Sequence, residues 1–305
     1  MTGQHPVLVG IDLGGTKTVA AVVTSSGVEE SVSTPTPAPD GPDAVLDTVA
    51  ELVRRVAGER PVAAVGVGSA GVVDSSRGLI VSSTDAFTGW AGTNVAGGLS
   101  DRLGSVPVVV LNDVDAHAMG EASEGAARGH ESFLMVTVGT GVGGSLVFDG
   151  KPRRGRHHVA GEIAHAPTPG AEGLRCTCGR TGHLEAVAAG PAIVRRYRSL
   201  GGSADDALAV FAAASAGDAL AGRVVRDAAS ALGRAVAAVV TVVDPDVVLV
   251  GGGVAQAGSL WWAPFEESLR SELIDVLSEL PVLPATLGPQ AAIIGAARRA
   301  ALEMR

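Results

Sequence analysis

Residues 7–23 read VLVGIDLGGTKTVAAVV. Val7 to Ile11 and Thr18 to Val23 are apolar runs rich in β-branched residues, and the turn Asp12-Leu13-Gly14-Gly15-Thr16 lies between them. The stretch therefore reads as a β-hairpin with two glycines at its tip. Residues 133–148, FLMVTVGTGVGGSLVF, repeat the pattern. Phe133 to Val138 and Ser145 to Phe148 flank Gly139-Thr140-Gly141-Val142-Gly143-Gly144. Two Gly-tipped hairpins half a chain apart imply an internal duplication and hence two similar domains. The length of 305 residues, about twice that of a typical domain, agrees.

Outward from the first hairpin, Asp43 to Ala57 has its apolar residues at helical spacing and is closed by Gly58. Pro61 opens a buried strand, Val62 to Val67. A second such strand, Val106 to Leu111, precedes a helical pattern over Asp113 to Ala127, so this half alternates strand and helix as an α/β domain does. After the second hairpin, His157 to Gly182 is loop-rich, broken by Pro167, Pro169 and Gly170. Helices are expected over Pro191 to Leu200, Asp205 to Ala216 and Asp218 to Val243, then a short strand at Val247 to Val250 and a last helix at Ala291 to Met304. No linker shows in the composition. The pattern alone puts the division near Ala116, giving an N-terminal domain of residues 1–116 and a C-terminal one of residues 117–290.

Glycine supplies 42 of the 305 residues, roughly twice its usual share, while aromatics are only 3%. Special backbone positions, rather than bulky anchors, are where chemistry is to be sought. A net charge of −9 repels nucleic-acid phosphates, and no Lys/Arg block is longer than the pairs Arg54-Arg55, Arg153-Arg154, Arg195-Arg196 and Arg298-Arg299. No nucleic-acid partner is expected. The longest apolar run, Ala235 to Val243, stops at Asp244 and is far shorter than the ~20 residues of a bilayer span. No leader is expected ahead of Val7, so the expected location is the cytoplasm, with no membrane partner.

At the first hairpin tip, small residues let the backbone approach phosphate oxygens and present N–H donors, and Asp12 at the strand end suits a hydrated magnesium ion. A tight turn with an incidental Asp is the alternative. Gly139-Thr140-Gly141 repeats the cradle. Gly251-Gly252-Gly253 follows a strand and admits close approach by a flat ligand such as adenine, although a plain strand-to-helix loop would look the same. Asn112 and Asp113 close one strand and open a helix. Asp113 could be an N-cap there, but two hydrogen-bonding side chains at a strand's carboxyl end also suit sugar hydroxyls.

His165, Cys176, Cys178 and His183 place four soft ligands within nineteen residues of a loop region with little core of its own, the pattern of a zinc site. Two buried thiols with surface histidines are the alternative, and His157 and His158 are rival ligands. Glu162 and Glu185 flank the set in sequence, so a metal-ordered loop would bring both carboxylates beside it.

Asp12-Leu-Gly-Gly-Thr-Lys17, Asn112-Asp113, Gly139-Thr-Gly-Val-Gly-Gly144, Gly161-Glu-Ile-Ala-His165, Cys176-Thr-Cys-Gly-Arg-Thr-Gly-His183-Leu-Glu185 and Gly251-Gly-Gly253 occur in this order over the whole chain. In this the sequence resembles the ROK family of sugar kinases and sugar-responsive repressors. The resemblance implies the actin/hexokinase-like (ribonuclease H-like) α/β fold, duplicated, with an interdomain cleft and a last helix, 291–305, joined to the first domain. It implies ATP-dependent phosphorylation of a hexose-type hydroxyl, the 6-OH of glucose or a related sugar, with ATP, Mg2+ and Zn2+ as cofactors. Asp113 would be the catalytic base. Gly71, Asp85, Asn112, Asp113, Glu162, His165 and Glu185 would bind the sugar. Asp12, Gly14, Gly15, Thr16, Lys17, Thr140, Gly141, Gly252 and Gly253 would hold ATP, and His165, Cys176, Cys178 and His183 the zinc. A homodimer or homotetramer would be the assembly.

The sequence departs from the family pattern at Ala164, where Gly is usual, and at His183, where a third Cys is usual, which leaves a Cys2His2 set. With only six residues ahead of Val7, the repressor reading lacks its DNA-binding part. Three rivals share most of the site: a catalytically silent sugar sensor, a polyphosphate-using kinase, and an amino-sugar kinase acting on N-acetylmannosamine or an unacetylated amino sugar. The last draws on Asp85, a carboxylate ahead of Gly89-Trp90 where related kinases supply an Asn, because a carboxylate gains most from a cationic partner.

Overall fold

The computed structural model describes residues 5–83 and 87–304. They form two compact units. Unit 1 contains residues 1–129, 150–160 and 286–305, and unit 2 contains residues 130–149 and 161–285. The division expected near Ala116 falls inside a helix of unit 1, and the chain leaves that unit only after Gly129.

In unit 1 the first hairpin is β1 (Val7–Leu13) and β2 (Lys17–Thr24), extended by β3 (Gly27–Pro35). Helix α1 (Pro42–Ala57), β4 (Val62–Ser69), a small hairpin of β5 (Val72–Asp74) and β6 (Leu79–Ser82), helix α2 (Val95–Arg102), β7 (Val108–Asn112) and helix α3 (Asp113–Glu124) follow. The main sheet runs β3-β2-β1-β4-β7, antiparallel through β3, β2 and β1 and parallel from β1 to β7. Strand β3 has no apolar signature because Glu29, Glu30, Ser31 and Ser33 face solvent on a sheet edge, and Gly97-Gly98 conceals α2, whose N-cap Asn94 accepts from the Gly97 N–H at 2.9 Å.

Unit 2 opens with the second hairpin, β8 (Phe133–Val138) and β9 (Val142–Phe148). The two-residue strand β10 (Lys151–Pro152) follows in the segment assigned to unit 1. Unit 2 resumes with α4 (Glu185–Ala188), α5 (Gly190–Ser199), α6 (Ala207–Ser215), α7 (Ala219–Val243), β11 (Val247–Gly251), α8 (Ser259–Glu272) and β12 (Val282–Pro284). Its strands run β9-β8-β11-β12, with β8 antiparallel to β9 and parallel to β11, and β11 parallel to β12. The path from β1 through β2, β4 and β7 is thus repeated by β8, β9, β11 and β12. The duplication read from the glycine turns is a duplication of topology. The α8 helix carries Pro264 in its interior.

Each sheet is built on alternation. In unit 1, Val9, Ile11, Leu13, Val65 and Val67 are fully buried in one cluster with Val45, Val49, Leu52 and Val53 of α1. Their neighbours along the strands, Gly10 and Gly66, face the other way, as period 2 demands. Against that face lies α9 (Ala291–Glu303), reading AAIIGAARRAALE. A Cβ on Gly10 would overlap the Ile293 carbonyl, and one on Gly66 the Ala296 carbonyl. Along the helix pair the same holds: a Cβ on Gly120 of α3 would strike the Ala291 carbonyl, and one on Gly295 of α9 the Ala116 carbonyl. The excess of glycine and the shortage of aromatics have this seam as one structural cause.

A loop before α9 is fixed by Glu121, fully buried near the end of α3. Its carboxylate accepts from the backbone N–H groups of Ala126 (2.8 Å), Thr286 (2.9 Å) and Leu287 (2.8 Å) and from the Thr286 hydroxyl (3.1 Å). Arg298 of α9 donates to Glu124 and to the Thr24 carbonyl, the latter at 2.6 Å. Among the described residues no single helix is long and apolar enough to cross a membrane. Helices α6 and α7 pass such a test only as a pair bent by 119°, and the apolar stripe of α7, with Val224, Leu232, Val236 and Val240, lies in the core of unit 2.

Gly66→Ala should destabilise the fold by about 2 kcal/mol or more, because the displaced neighbour is main chain and cannot swing aside. Gly222→Ala on α7, where nothing lies within 4 Å of the added carbon, should instead be neutral or stabilising by up to about 1 kcal/mol. Urea denaturation of the two variants checks the contrast.

Candidate active site

Strand β1 runs on to Leu13, so Asp12 sits within the sheet rather than in the turn, in register with Val19 of β2 and Gly68 of β4. The turn proper is Gly14-Gly15-Thr16. Its position is set from outside: the Thr36 hydroxyl donates to the Gly14 carbonyl at 2.7 Å, the Thr36 N–H donates to the Thr16 carbonyl at 3.0 Å, and the Thr18 and Thr36 hydroxyls meet at 2.8 Å. Burial raises the proton affinity of the Asp12 carboxyl above that of an ordinary Asp, and the nearby Lys17 ammonium opposes the shift. A half-buried carboxylate beside a fixed turn of backbone amides is a place for a cation and an anion together.

At the end of β7 the chain turns into α3, and Asn112, not Asp113, is the N-cap. The Asn112 side-chain oxygen accepts from the N–H groups of Val114 (3.0 Å) and Asp115 (3.3 Å), while its amide donates to the Gly71 carbonyl at 3.0 Å. Asp113 therefore begins the helix, half-buried, with its own carboxylate accepting from the Val114 N–H at 2.9 Å. The capping alternative for Asp113 is thereby answered: the cap is its neighbour. Gly71 has φ +103°, and a side chain there would meet the Ser82 carbonyl at 2.7 Å, so the loop next to Asn112 takes only glycine without rearrangement. Asp85 lies outside the described residues. Two residues past Asp113, buried Asp115 pairs with Arg154 at 2.9 Å and so ties the 150–160 segment to α3. In that segment His158 faces Asp74 at 3.9 Å, and it is not one of the clustered metal-type ligands.

In unit 2, β9 begins at Val142, so the second tip is Gly139-Thr140-Gly141. The Gly139 N–H donates to the Gly141 carbonyl at 2.8 Å, and the Gly139 carbonyl accepts from Gly190, the first residue of α5, at 2.8 Å. Gly252, at φ +95°, lies so close to Val138 that a Cβ would overlap its backbone. The hairpin tip, the start of α5 and the Gly251-Gly252-Gly253 loop therefore converge. Gly190 has no motif around it, and only its contact with Gly139 discloses it. Gly161 and Gly144 also touch backbone to backbone, which lets the chain carrying Glu162 cross β9.

Beyond Glu162 the four sulfur and imidazole residues come together. One ligand atom from each of His165, Cys176, Cys178 and His183 lies within 4.8 Å of all the others. The Cys176 Sγ is 3.6 Å from His165 Nδ1, and the Cys178 Sγ is 3.3 Å from His183 Nδ1. With Zn–S near 2.3 Å and Zn–N near 2.0–2.1 Å, a tetrahedral site has S···N edges of about 3.6 Å. The donor set fits zinc. His165 turns its other nitrogen, Nε2, toward Glu162 Oε2 at 3.8 Å, the arrangement that orients an imidazole ligand.

Glu185, the first residue of α4, lies on the opposite flank. Its Oε1 accepts from the Thr177 hydroxyl and lies 3.8 Å from the Cys176 Sγ, and its Oε2 accepts from the Val142 N–H at 3.2 Å. The two glutamates expected beside the cluster are both there, and Glu185 additionally reaches the Gly-rich hairpin. Thr177, between the two cysteines, carries no sequence signal for this contact.

The family model of the ROK family matches residues 8–302. The chain belongs to the ROK family. It is 33% identical over 306 residues to the glucokinase of Thermotoga maritima, a match covering 95% of this chain and 96% of that one. Among solved structures, the ROK hexokinase of Thermus thermophilus superposes with a TM-score of 0.85 at 36% identity, over 98% of this chain and 99% of that one. The ROK glucokinase of Streptomyces griseus, solved in complex with glucose and AMPPNP, superposes with a TM-score of 0.83 at 33% identity, over 97% and 99% of the two chains. The actin/hexokinase-like fold expected from the motifs is therefore that of this ROK protein.

The half-buried Asp12 gives a stability test. Because folding raises its proton affinity, ionised Asp12 weakens the fold at pH values above its raised pKa, whereas below the ordinary Asp range both states hold the proton and the penalty disappears. Asp12→Asn should thus raise Tm by a few degrees near neutral pH, and the gain should shrink toward about pH 4. Thermal unfolding of the two proteins across this range reads it.

Proposed function

We propose that this ROK protein is an ATP-dependent kinase that transfers a phosphoryl group to a hexose hydroxyl, the 6-OH of glucose or a closely related sugar. The observation that carries the reading is Asp113, placed at the head of α3 by the Asn112 cap, in a chain similar over nearly its full length to a glucokinase. Asn112 has its amide on Gly71 and its oxygen on the helix start, so the Asn112–Asp113 pair has a fixed backbone from which to meet a sugar. Asp113 accepts the hydroxyl proton as the new O–P bond forms. Phosphoryl transfer is largely dissociative, so alignment and charge neutralisation contribute more than basicity.

On the donor side, the N–H groups of the two Gly-rich tips, Gly14-Gly15-Thr16 with Lys17 and Thr140-Gly141, bind phosphate oxygens. Gly252 and Gly253 admit the adenine. Asp12 would hold a hydrated Mg2+, whose charge neutralises the polyphosphate. In unit 2, Glu162, His165 and Glu185 accept hydrogen bonds from sugar hydroxyls or donate to them. His165, Cys176, Cys178 and His183 would hold a zinc ion, which supplies a cross-link to a loop poor in apolar side chains. His165 serves both tasks with different nitrogens: Nδ1 faces the sulfurs and Nε2 the Glu162 side. The same reading places the protein in the cytoplasm, beside its ATP supply, as a homodimer or homotetramer.

An ADP-release assay over a panel of sugars, with ATP and then polyphosphate as donor, tests the reading. Steady sugar-dependent ADP release supports the kinase, while tight sugar binding without turnover would make the protein a sensor. Asp113→Asn should lower kcat by about 10² to 10⁴ while sugar affinity survives. A variant that keeps most of its turnover would remove Asp113 from the chemistry.

The metal reading has its own check. Elemental analysis should find one zinc per chain, and Cys178→Ala should lose it together with thermal stability and sugar affinity, since structural zinc can contribute on the order of 10 kcal/mol to such loops. Carefully purified protein without zinc would refute it.

A further inference from the structure

The residue between the two cysteines links the metal-ligand loop to a carboxylate outside it. Thr177 is exposed, yet its hydroxyl donates to Glu185 Oε1. The other carboxylate oxygen, Oε2, accepts from the Val142 N–H at 3.2 Å, and a Cβ on Gly141 would lie only 2.9 Å from it. Glu185 is thus held at both oxygens, by the Cys-Thr-Cys segment on one side and by the start of β9 on the other. A Glu side chain has three rotatable bonds, and two opposed donors select one of its many rotamers.

Thr177 has little freedom of its own. The Cys176 N–H donates to the Arg180 carbonyl at 2.8 Å, the Gly179 N–H donates to the Cys176 carbonyl at 3.0 Å, and the flanking Cys176 and Cys178 side chains both point into the four-ligand cluster. Cys176 Sγ also lies 3.8 Å from Glu185 Oε1. A cysteine that ligates a metal does so as a thiolate and no longer donates, which leaves the Thr177 hydroxyl as the loop's donor to Glu185.

We infer that Thr177 is a positioning residue for sugar binding: its hydroxyl fixes the Glu185 carboxylate, so that the order of the Cys-Thr-Cys loop is passed on as affinity for the sugar. This rests on the reading that Glu185 meets the sugar. Such a contact acts on binding and leaves the transferring phosphoryl group untouched, so KM and kcat should separate.

The test uses the full chain, with glucose as the probe, and compares Thr177→Ala, Thr177→Ser and Glu185→Gln. Zinc content, equilibrium glucose titration by calorimetry, and KM and kcat are read for each. Thr177→Ala should keep its zinc, bind glucose about three- to tenfold more weakly and show a matching rise in KM with kcat changed less than about twofold, the size of one hydrogen bond's ordinary net contribution. Thr177→Ser, which keeps the hydroxyl, should restore the wild-type value. Unchanged glucose affinity in zinc-replete Thr177→Ala, while Glu185→Gln weakens binding, would overturn the inference and leave the Glu185 reading standing. Zinc lost from the Ala and Ser variants alike would overturn it in favour of a purely structural role in the loop. If Glu185→Gln itself binds glucose normally, the sugar-contact reading of Glu185 fails and this inference falls with it.

Discussion

The backbone of α9 lies against β1, β4 and α3 with no side chain between them at Gly10, Gly66, Gly120 and Gly295, and unit 1 is organised around that approach. Dispersion falls steeply with distance, so main chain packed on main chain is dense and leaves no void. The arrangement also determines what the sheet can be. One face carries Val9, Ile11, Val65 and Val67 against α1, and the other brings Gly10 and Gly66, with Ala21, Val23 and Ala64, against α9. Strand β1 ends at the first turn and β7 delivers Asn112 and Asp113, so the same sheet holds both elements of the candidate site in unit 1. An added methyl group at Gly66 would move β4 or the helix, and β4 lies between β1 and β7, which carry the candidate site residues of unit 1.

Polar anchoring completes what close packing begins. Glu121 is a buried carboxylate with four donors, three of them backbone N–H groups. A buried charge so surrounded is well satisfied, whereas one short of donors would be costly. Its partners at Thr286 and Leu287 lead directly into α9, so this carboxylate sets where the last helix begins. Asn112 works in the same manner at the other end of α3, with its oxygen on the helix and its amide on Gly71.

Unit 2 repeats the topology with different supports. Its glycine tip is held by Gly190 at the start of α5 and by the Val138–Gly252 contact. The loop that follows has few apolar side chains; it carries the four-residue sulfur and imidazole cluster and short backbone bridges, such as that between Arg175 and Thr181. Glu185 stands where these two supports meet. Its carboxylate is shared by the cysteine loop and the hairpin, which makes this side chain the junction of unit 2.

The duplicated hairpins, the α/β alternation, the metal-type quartet and the Asn-Asp pair were legible from sequence, because each depends on residue types at short spacing: glycines at turns, period 2 in strands, four soft ligands in one loop. The order of these motifs also sufficed to suggest the family. What the tertiary structure decided depends on partners far apart in the chain or on backbone groups that every residue possesses. That Asn112 rather than Asp113 caps α3 turned on which side-chain oxygen reaches the Val114 and Asp115 N–H groups. Strand β3 and helix α2 were missed because an exposed edge strand needs no apolar alternation and a glycine pair lowers helix propensity without forbidding the helix. Gly190, Glu121 and Thr177 were invisible for a common reason: each acts through a hydrogen bond whose partner is a backbone group or a side chain from another element. No local pattern encodes such a pairing, and only the fold brings the two atoms within about 3 Å.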